Sequence, residues 1–335
     1  MMGSRIKQIE YYLPKNVLTN EQLEKEIPGW TAEKIENKIG IKQRHICDPN
    51  ETALDLGYNA AKKVFDSEAV KKEDIDFLLF CTESPDYYLP PNATILQDKL
   101  GLRTNIGALD YNLGCSGFIY GLALASSLIQ SKIAKKLLLI TSETYSKHIH
   151  PKDKSNKTIF GDAAAAIVIE ESPDNQILNF TLGTNGEGAK NLIVPQGGLR
   201  NRFNPNESDL TDESGSTRTK NNLYMNGPEI FNFTIDIVPE LVNNVLEANK
   251  VSFDDIDYVI LHQANKYILN YLRKKIGIPK EKFYMNMEDT GNTVSSTIPI
   301  GIKTCLENQT IKAGDKVLLI GFGVGYSWGG TIVIV

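Results

Sequence analysis

No stretch of this chain of 335 residues is apolar for long enough to cross a bilayer. The longest runs, such as Leu137–Ile140, have the length of a strand, so no membrane span is expected. Cysteine is scarce. Cys47, Cys81, Cys115 and Cys305 stand far apart, with no CxxC pair and no zinc spacing. That argues against a disulfide framework or a metal centre and fits a reduced, cytoplasmic setting. Positive charge is not in excess, the net charge being −5, so there is no global basic surface for nucleic acid. An acidic partner would need a local basic patch. The N-terminus shows no charged-then-apolar leader.

What is present is enough apolar residue, 41%, for a large core, as one big domain or two fused halves. The chain also carries a faint repeat. Asp74–Cys81 (DIDFLLFC) resembles Asp255–His262 (DIDYVILH), 181 positions on. Leu137–Ile140 matches Val317–Ile320 at an offset of 180, and Ala165–Ile169 corresponds to the final Thr331–Val335. An offset of 181 carries Cys115 to Ser296, which also opens an apolar segment from small residues. Each half, 1–172 and 173–335, alternates short apolar strands with helices, which implies a largely parallel α/β sheet covered on both faces. Two such sheets sharing central helices make a five-layered α/β/α/β/α body. Pro195–Asn222, dense in Gly, Asn, Ser, Thr and charge, breaks the pattern and is expected to be a mobile cap or, over Glu207–Lys220, a disordered linker.

Three residues stand out for chemistry. Cys115 lies where an extended segment enters an apolar helix, between Gly114 and Ser116-Gly117. The free N–H groups and positive dipole end of that helix favour a thiolate and predict a lowered pKa. A buried, inert cysteine is the competing possibility. His262, one of four histidines, ends a buried strand, where catalytic side chains collect in α/β folds; a satisfied core histidine would look the same. Asn292 sits in a turn before the second central helix, as a helix-capping Asn also would. The duplication brings both helix starts to one central region, and with them Cys, His and Asn.

The segments Asp110–Leu122, His262–Asn265, Gly291–Thr293, Gly161–Ala165, Gly40–His45 and Gly321–Gly329 together resemble β-ketoacyl-acyl carrier protein synthase III, of the thiolase superfamily, over nearly the whole chain. The resemblance implies a thiolase-like fold and a homodimer that needs no cofactor. It implies that Cys115 forms an acyl-enzyme from an acyl-CoA or acyl-carrier-protein thioester. The acyl group is then condensed decarboxylatively with malonyl-acyl carrier protein to a 3-oxoacyl product, in fatty-acid biosynthesis. His262 and Asn292 would donate hydrogen bonds to the developing enolate, and neither adds a carboxylate that would repel it. Substrate contacts are implied for Trp30, Lys38, Lys154, Phe160, Asn265, Phe322 and Val324. Leu89 is expected at the neighbouring subunit's acyl pocket.

Several positions depart from the family pattern. Lys38 and Lys154 stand where arginines are expected and lack the planar guanidinium fork. Val324 replaces a glycine, and Leu89 an aromatic. Glu83 lies in a Thr-Glu-Ser setting like that of hydroxymethylglutaryl-CoA synthases, where the Glu is a general base; a surface or interface Glu is the plainer alternative. Two alternative activities therefore stay open: acyl transfer to an oxygen or nitrogen acceptor, and a condensation that uses Glu83. Lys266, Arg273, Lys274 and Lys275 follow His262 on a predicted helix, as a solvated face or as a docking patch for an acidic carrier protein.

Overall fold

Short runs rich in Leu, Ile, Val and Ala become strands, and longer segments in which small residues space the apolar ones become helices. The computed structural model describes residues 3–27 and 29–335. In chain order the first half supplies β1 (Gly3–Tyr12), α1 (Ala53–Asp66), β2 (Phe77–Cys81), α2 (Asn92–Leu100), β3 (Gly107–Tyr111), α3 (Gly117–Gln130), β4 (Lys136–Glu143) and β5 (Ala163–Ser172). The second supplies β6 (Thr181–Thr184), α4 (Gly227–Asn249), β7 (Tyr258–Leu261), α5 (Lys266–Ile276), α6 (Thr297–Glu307), β8 (Lys316–Gly323) and β9 (Ser327–Ile334).

Sheet one runs β1-β5-β4-β2-β3 and sheet two runs β6-β9-β8-β7. The central pairs β2/β4 and β7/β8 are parallel, while β4/β5 and β8/β9 are antiparallel. Phe283 makes a single parallel bridge to Val259, on the side of β7 that matches the place of β3 beside β2. The registers agree as well. Leu78 faces Leu138 in one sheet and Val259 faces Leu318 in the other. The repeat in the sequence is thus a repeat of topology.

Strand alternation divides the core into layers. Leu79, Leu137 and Leu139 point inward with Ile260 and Leu319 of the other sheet, and Phe118 and Leu122 of α3 and Ile298 and Ile302 of α6 fill the space between. Leu78, Phe80 and Leu138 point outward against Leu56 and Val64 of α1 and Leu96 of α2. Val259, Leu318 and Ile332 meet Val242 and Val245 of α4 and Leu269 and Leu272 of α5. This is the five-layered arrangement expected. Among the described residues no helix is long and apolar enough to cross a membrane.

Two expectations need correction. The helices α3 and α6 are in register at an offset of 180, because their N-caps are Ser116 and Ser296, with φ/ψ of −86°/−8° and −86°/−7°. The counterpart of Cys115 is therefore Ser295, not Ser296. The segment from Pro195 to Asn222 is not a disordered linker. Its polar residues bond one another: Gln196 Nε2 and Asn204 Nδ2 both donate to Glu207, at 3.1 and 3.0 Å, and Asn221 Nδ2 donates to Asn204 O at 2.7 Å. Leu210–Thr211 pairs with Thr217–Arg218 in a small hairpin, whose turn is closed by Asp212 accepting from the N–H groups of Ser214 and Ser216. The same Asn, Asp and Ser content that suggests disorder supplies side-chain-to-backbone turns here.

Leu122 is fully buried between the sheets. Leu122→Ala should cost about 2–5 kcal/mol, while the volume-conserving Leu122→Met should cost less than about 1.5 kcal/mol. Denaturant unfolding of the two variants checks this.

Candidate active site

Cys115 ends the loop between β3 and α3, and only 7% of it is exposed. His262 follows β7 directly, and its N–H bonds to Ile320 O of β8 at 2.8 Å, which fixes the start of the loop that carries it. Asn292 is anchored by its backbone N–H to Ile159 O (2.9 Å), and its Oδ1 accepts the N–H of Val294 (2.9 Å). That second bond settles the amide orientation and turns Nδ2 toward His262 Nε2, 3.5 Å away. The other ring nitrogen, Nδ1, lies 2.8 Å from Thr297 Oγ1 in the first turn of α6. Phe322 meets the imidazole edge-on at 5.5 Å. Cys115, His262, Asn292 and Phe322 all line one cavity of about 180 Å³, with Phe160 and Asn265 also in its wall. Three residues from distant parts of the sequence therefore meet, as the duplication argument required.

Burial drives the His262 pKa down to about 3, so the ring is neutral at any physiological pH. The thiol differs from expectation. Burial first, then the carboxyls of Glu83 and Glu143, push the Cys115 pKa well above its usual value, and its own backbone N–H offsets this only in part. The expected thiolate-favouring environment is thus overridden by desolvation and by two acidic neighbours, and Cys115 rests as a thiol. Gly323 packs on it so closely that a Cβ there would lie 2.7 Å from Cys115 Cβ and 3.0 Å from Sγ.

The sequence pattern described as 3-Oxoacyl-[acyl-carrier-protein (ACP)] synthase III matches residues 109–186, and the pattern for its C-terminal region matches residues 246–335. A β-ketoacyl-[acyl-carrier-protein] synthase III of Clostridium acetobutylicum is 35% identical, covering 96% of this chain and 95% of its own. The chain belongs to the 3-oxoacyl-[acyl-carrier-protein] synthase III family. A crystal structure of a 3-oxoacyl-(acyl-carrier-protein) synthase III superposes with a TM-score of 0.97 at 46% identity, covering 99% of this chain and all of that one. A 3-oxoacyl-(acyl-carrier protein) synthase of Burkholderia xenovorans LB400 gives a TM-score of 0.92 at 35% identity, covering 99% and 94%.

The other residues singled out in the sequence scatter more widely around this synthase III framework. Trp30 carries two lysines over its ring, Lys34 Nζ at 5.5 Å and Lys38 Nζ at 5.2 Å from the centroid. Gly40, with φ +80°, ends the helix that bears Lys38 and lets the stem of Lys266 lie against it, so this helix abuts α5. Asn265 caps α5 by accepting the Ile268 N–H at 2.9 Å. On α5, Lys266 and Lys274 are exposed and unpaired among the described residues, whereas Arg273 donates to Ile278 O and Lys275 to Ile235 O. Lys154 lies beside Gly215 of the hairpin and does not line the cavity. Leu89 is 81% exposed, and Val324 faces a second, larger cleft.

Glu83 is half-buried as a residue, but its Oε2 is shut off from solvent and lies 2.5 Å from where a Cβ of Gly114 would be, against the Cys115 loop. Its N–H donates to the Glu143 carboxyl at 2.9 Å. Sequence reasoning missed Thr297 and Glu143. Thr297 is 35 positions from the histidine it touches, and nothing local marks it.

Two outcomes follow from the electrostatics. The His262 ring signal in NMR should not titrate between about pH 5 and 8. Unfolded His262 binds its proton near 6.5 but the folded residue only near 3, so this group makes stability fall as pH drops below about 6.5. Alkylation of Cys115 by iodoacetamide should be slow at neutral pH and still rising above about pH 9, because the rate follows the thiolate.

Proposed function

We propose that this protein is a decarboxylative condensing acyltransferase in which Cys115 is the nucleophile and His262 and Asn292 hold the enolate. The observation that carries the reading is the convergence of these three side chains on one small cavity in a chain of the synthase III family. Cys115 sulfur bonds to the acyl carbon, the bond to the departing thiol breaks, and the Cys115 proton ends on that thiol. A malonyl thioester then enters. Its carboxylate leaves as carbon dioxide, and the electron pair of the broken C–C bond develops an enolate. The nucleophilic carbon attacks the acyl-Cys carbonyl, a C–C bond forms, and Cys115 sulfur departs and regains a proton.

The surroundings suit each step. Asn292 Nδ2 is an N–H donor of fixed orientation. Thr297 Oγ1 lies 2.8 Å from Nδ1 and 3.1 Å from the Val294 carbonyl oxygen, and when its single proton turns from that carbonyl to Nδ1 the ring carries its N–H on Nε2. In that tautomer two donors stand 3.5 Å apart at the edge of the cavity, and since neither can accept from the other both are open to a substrate oxygen. A ring with a pKa near 3 stays neutral throughout and adds no charge for carbon dioxide release to overcome. The Cys115 N–H, with one from the Gly323 loop, is suited to the thioester oxyanion.

Acyl transfer to an oxygen or nitrogen acceptor, and condensation with Glu83 as base, have less support, because each relative named above is a 3-oxoacyl- or β-ketoacyl-[acyl-carrier-protein] synthase. An acidic acyl carrier protein fits the unpaired Lys266, next to Asn265 of the cavity wall, and Lys274 two turns further along α5. Homodimer formation is supported by the exposed Tyr87, Tyr88 and Leu89, at 61, 74 and 81%. Four free cysteines support a cytoplasmic location.

Intact-mass analysis and release of labelled carbon dioxide test the assignment. Cys115→Ala should give no acyl adduct and no condensation. His262→Ala and Asn292→Ala should still acylate Cys115 but release carbon dioxide from a malonyl thioester about 10²–10³ times more slowly. A Cys115→Ala protein that elongates acyl chains at the wild-type rate would overturn the proposal.

A further inference from the structure

An acyl group joined to the Cys115 sulfur begins in the cavity of about 180 Å³ that Cys115 shares with His262 and Asn292. The same cavity must admit the malonyl unit. What backs the sulfur therefore decides how long the acyl group can be. The backing is closed. Cys115 belongs to one buried apolar cluster with Tyr145, Phe160, Leu192, Leu223 and Val294, none of them more than 7% exposed. Phe160 and Leu192 wall the cavity itself. Tyr145 and Leu223 do not reach it and form a second row behind them, lining a separate cleft that Cys115 does not line.

Tyr145 is the bulky member of that second row, and it is held on every side. Its ring lies 4.9 Å from that of Phe160, tilted by 49°, and meets His148 edge-on at 5.6 Å. The next residue, Ser146, donates its N–H to the buried Asp162 carboxylate at 2.9 Å, which fixes the backbone. Phe160 is no freer to give way. Its neighbours hold the Asn292 turn, Gly161 N–H donating to Asn292 O at 3.0 Å and Ile159 O accepting the Asn292 N–H at 2.9 Å. A chain that pushed Phe160 aside would disturb the enolate-binding Asn292. Ring and sulfur also sense each other: after burial and Glu83, Cys115 is among the groups that raise the Tyr145 pKa, so the phenol stays neutral. A close-packed interior does not take in extra atoms without displacing those already there.

We propose that Tyr145 is the residue that sets starter length, its ring closing the end of the acyl site so that the enzyme is primed by a two- or three-carbon acyl thioester and rejects chains of six carbons. The inference rests on the acyl-Cys115 reading and adds to it the class of starter. The effect is one of bulk. It needs the space the ring occupies, not the cleft beyond it, and it needs nothing from the phenol hydroxyl.

The test is the initial rate of Cys115 acylation, followed by intact mass, with acetyl-CoA and hexanoyl-CoA at equal concentration. The wild-type protein should favour acetyl by roughly tenfold or more. Tyr145→Ala leaves a hollow where the ring stood and should lower the acetyl-to-hexanoyl ratio by about tenfold, through a faster hexanoyl reaction. Tyr145→Phe keeps the bulk and should hold the ratio within about threefold of wild type. Should Tyr145→Ala fail to fold, Tyr145→Leu gives the same shift in smaller measure. Hexanoyl acylating the wild-type protein as fast as acetyl, a ratio unmoved by Ala and Leu, or a Phe variant that shifts as far as Ala would each overturn the inference while leaving the acyl-enzyme intact. Absence of any adduct from either acyl group, on coenzyme A or on acyl carrier protein, would remove the acyl-enzyme itself, and the length limit with it.

Discussion

The site exists because two helices, one from each half, begin at the same depth in the middle of the molecule, and each is tied to the opposite half. The hydroxyl of Ser116, at the start of α3, meets that of Ser327 in the second sheet at 2.6 Å. The hydroxyl of Ser296, at the start of α6, meets that of Thr141 in the first sheet at 2.9 Å. Both pairs are buried, so neither partner finds a substitute in water. The two ties set the spacing between the Cys115 loop before α3 and the Asn292 turn before α6. His262 gains its place from the same helix, through Thr297. A shift of either helix start would move the sulfur and its two partners relative to one another.

The fold was legible for a simple reason. Short apolar runs separated by helices leave few topologies, and the recurrence of one run 180 or 181 positions later fixes the relation between the halves. The one-residue difference between those offsets mattered. The β2 and β7 segments align at 181, whereas the helix starts and the β4 and β8 segments align at 180, so extending the 181 offset to Cys115 named the wrong counterpart. The residues that converge were legible because the duplication gave them a geometric reason to meet. The residues that support them were not. Thr297 looks like any threonine at a helix start, and Glu143 like the end of any strand. The Asn-rich excursion was misread because composition reports the number of polar groups and says nothing of whether they bond to each other.

The protonation of Cys115 shows where a local rule gives way to its surroundings. A helix start contributes a fraction of a charge over one turn. Enclosure in an apolar cluster and two carboxyls acting on the sulfur outweigh it.

A neutral, enclosed sulfur has a consequence for the life of the protein between turnovers. Peroxide attacks thiolates, and the first step toward a sulfenic acid is slow when the proton stays on. The other cysteines share the condition: Cys47 and Cys305 are pushed up to about 12, and Cys81 is raised as well, in each case chiefly by burial. All four thiols are thus disfavoured as thiolates, which slows at each of them the oxidation that proceeds through the ionised sulfur.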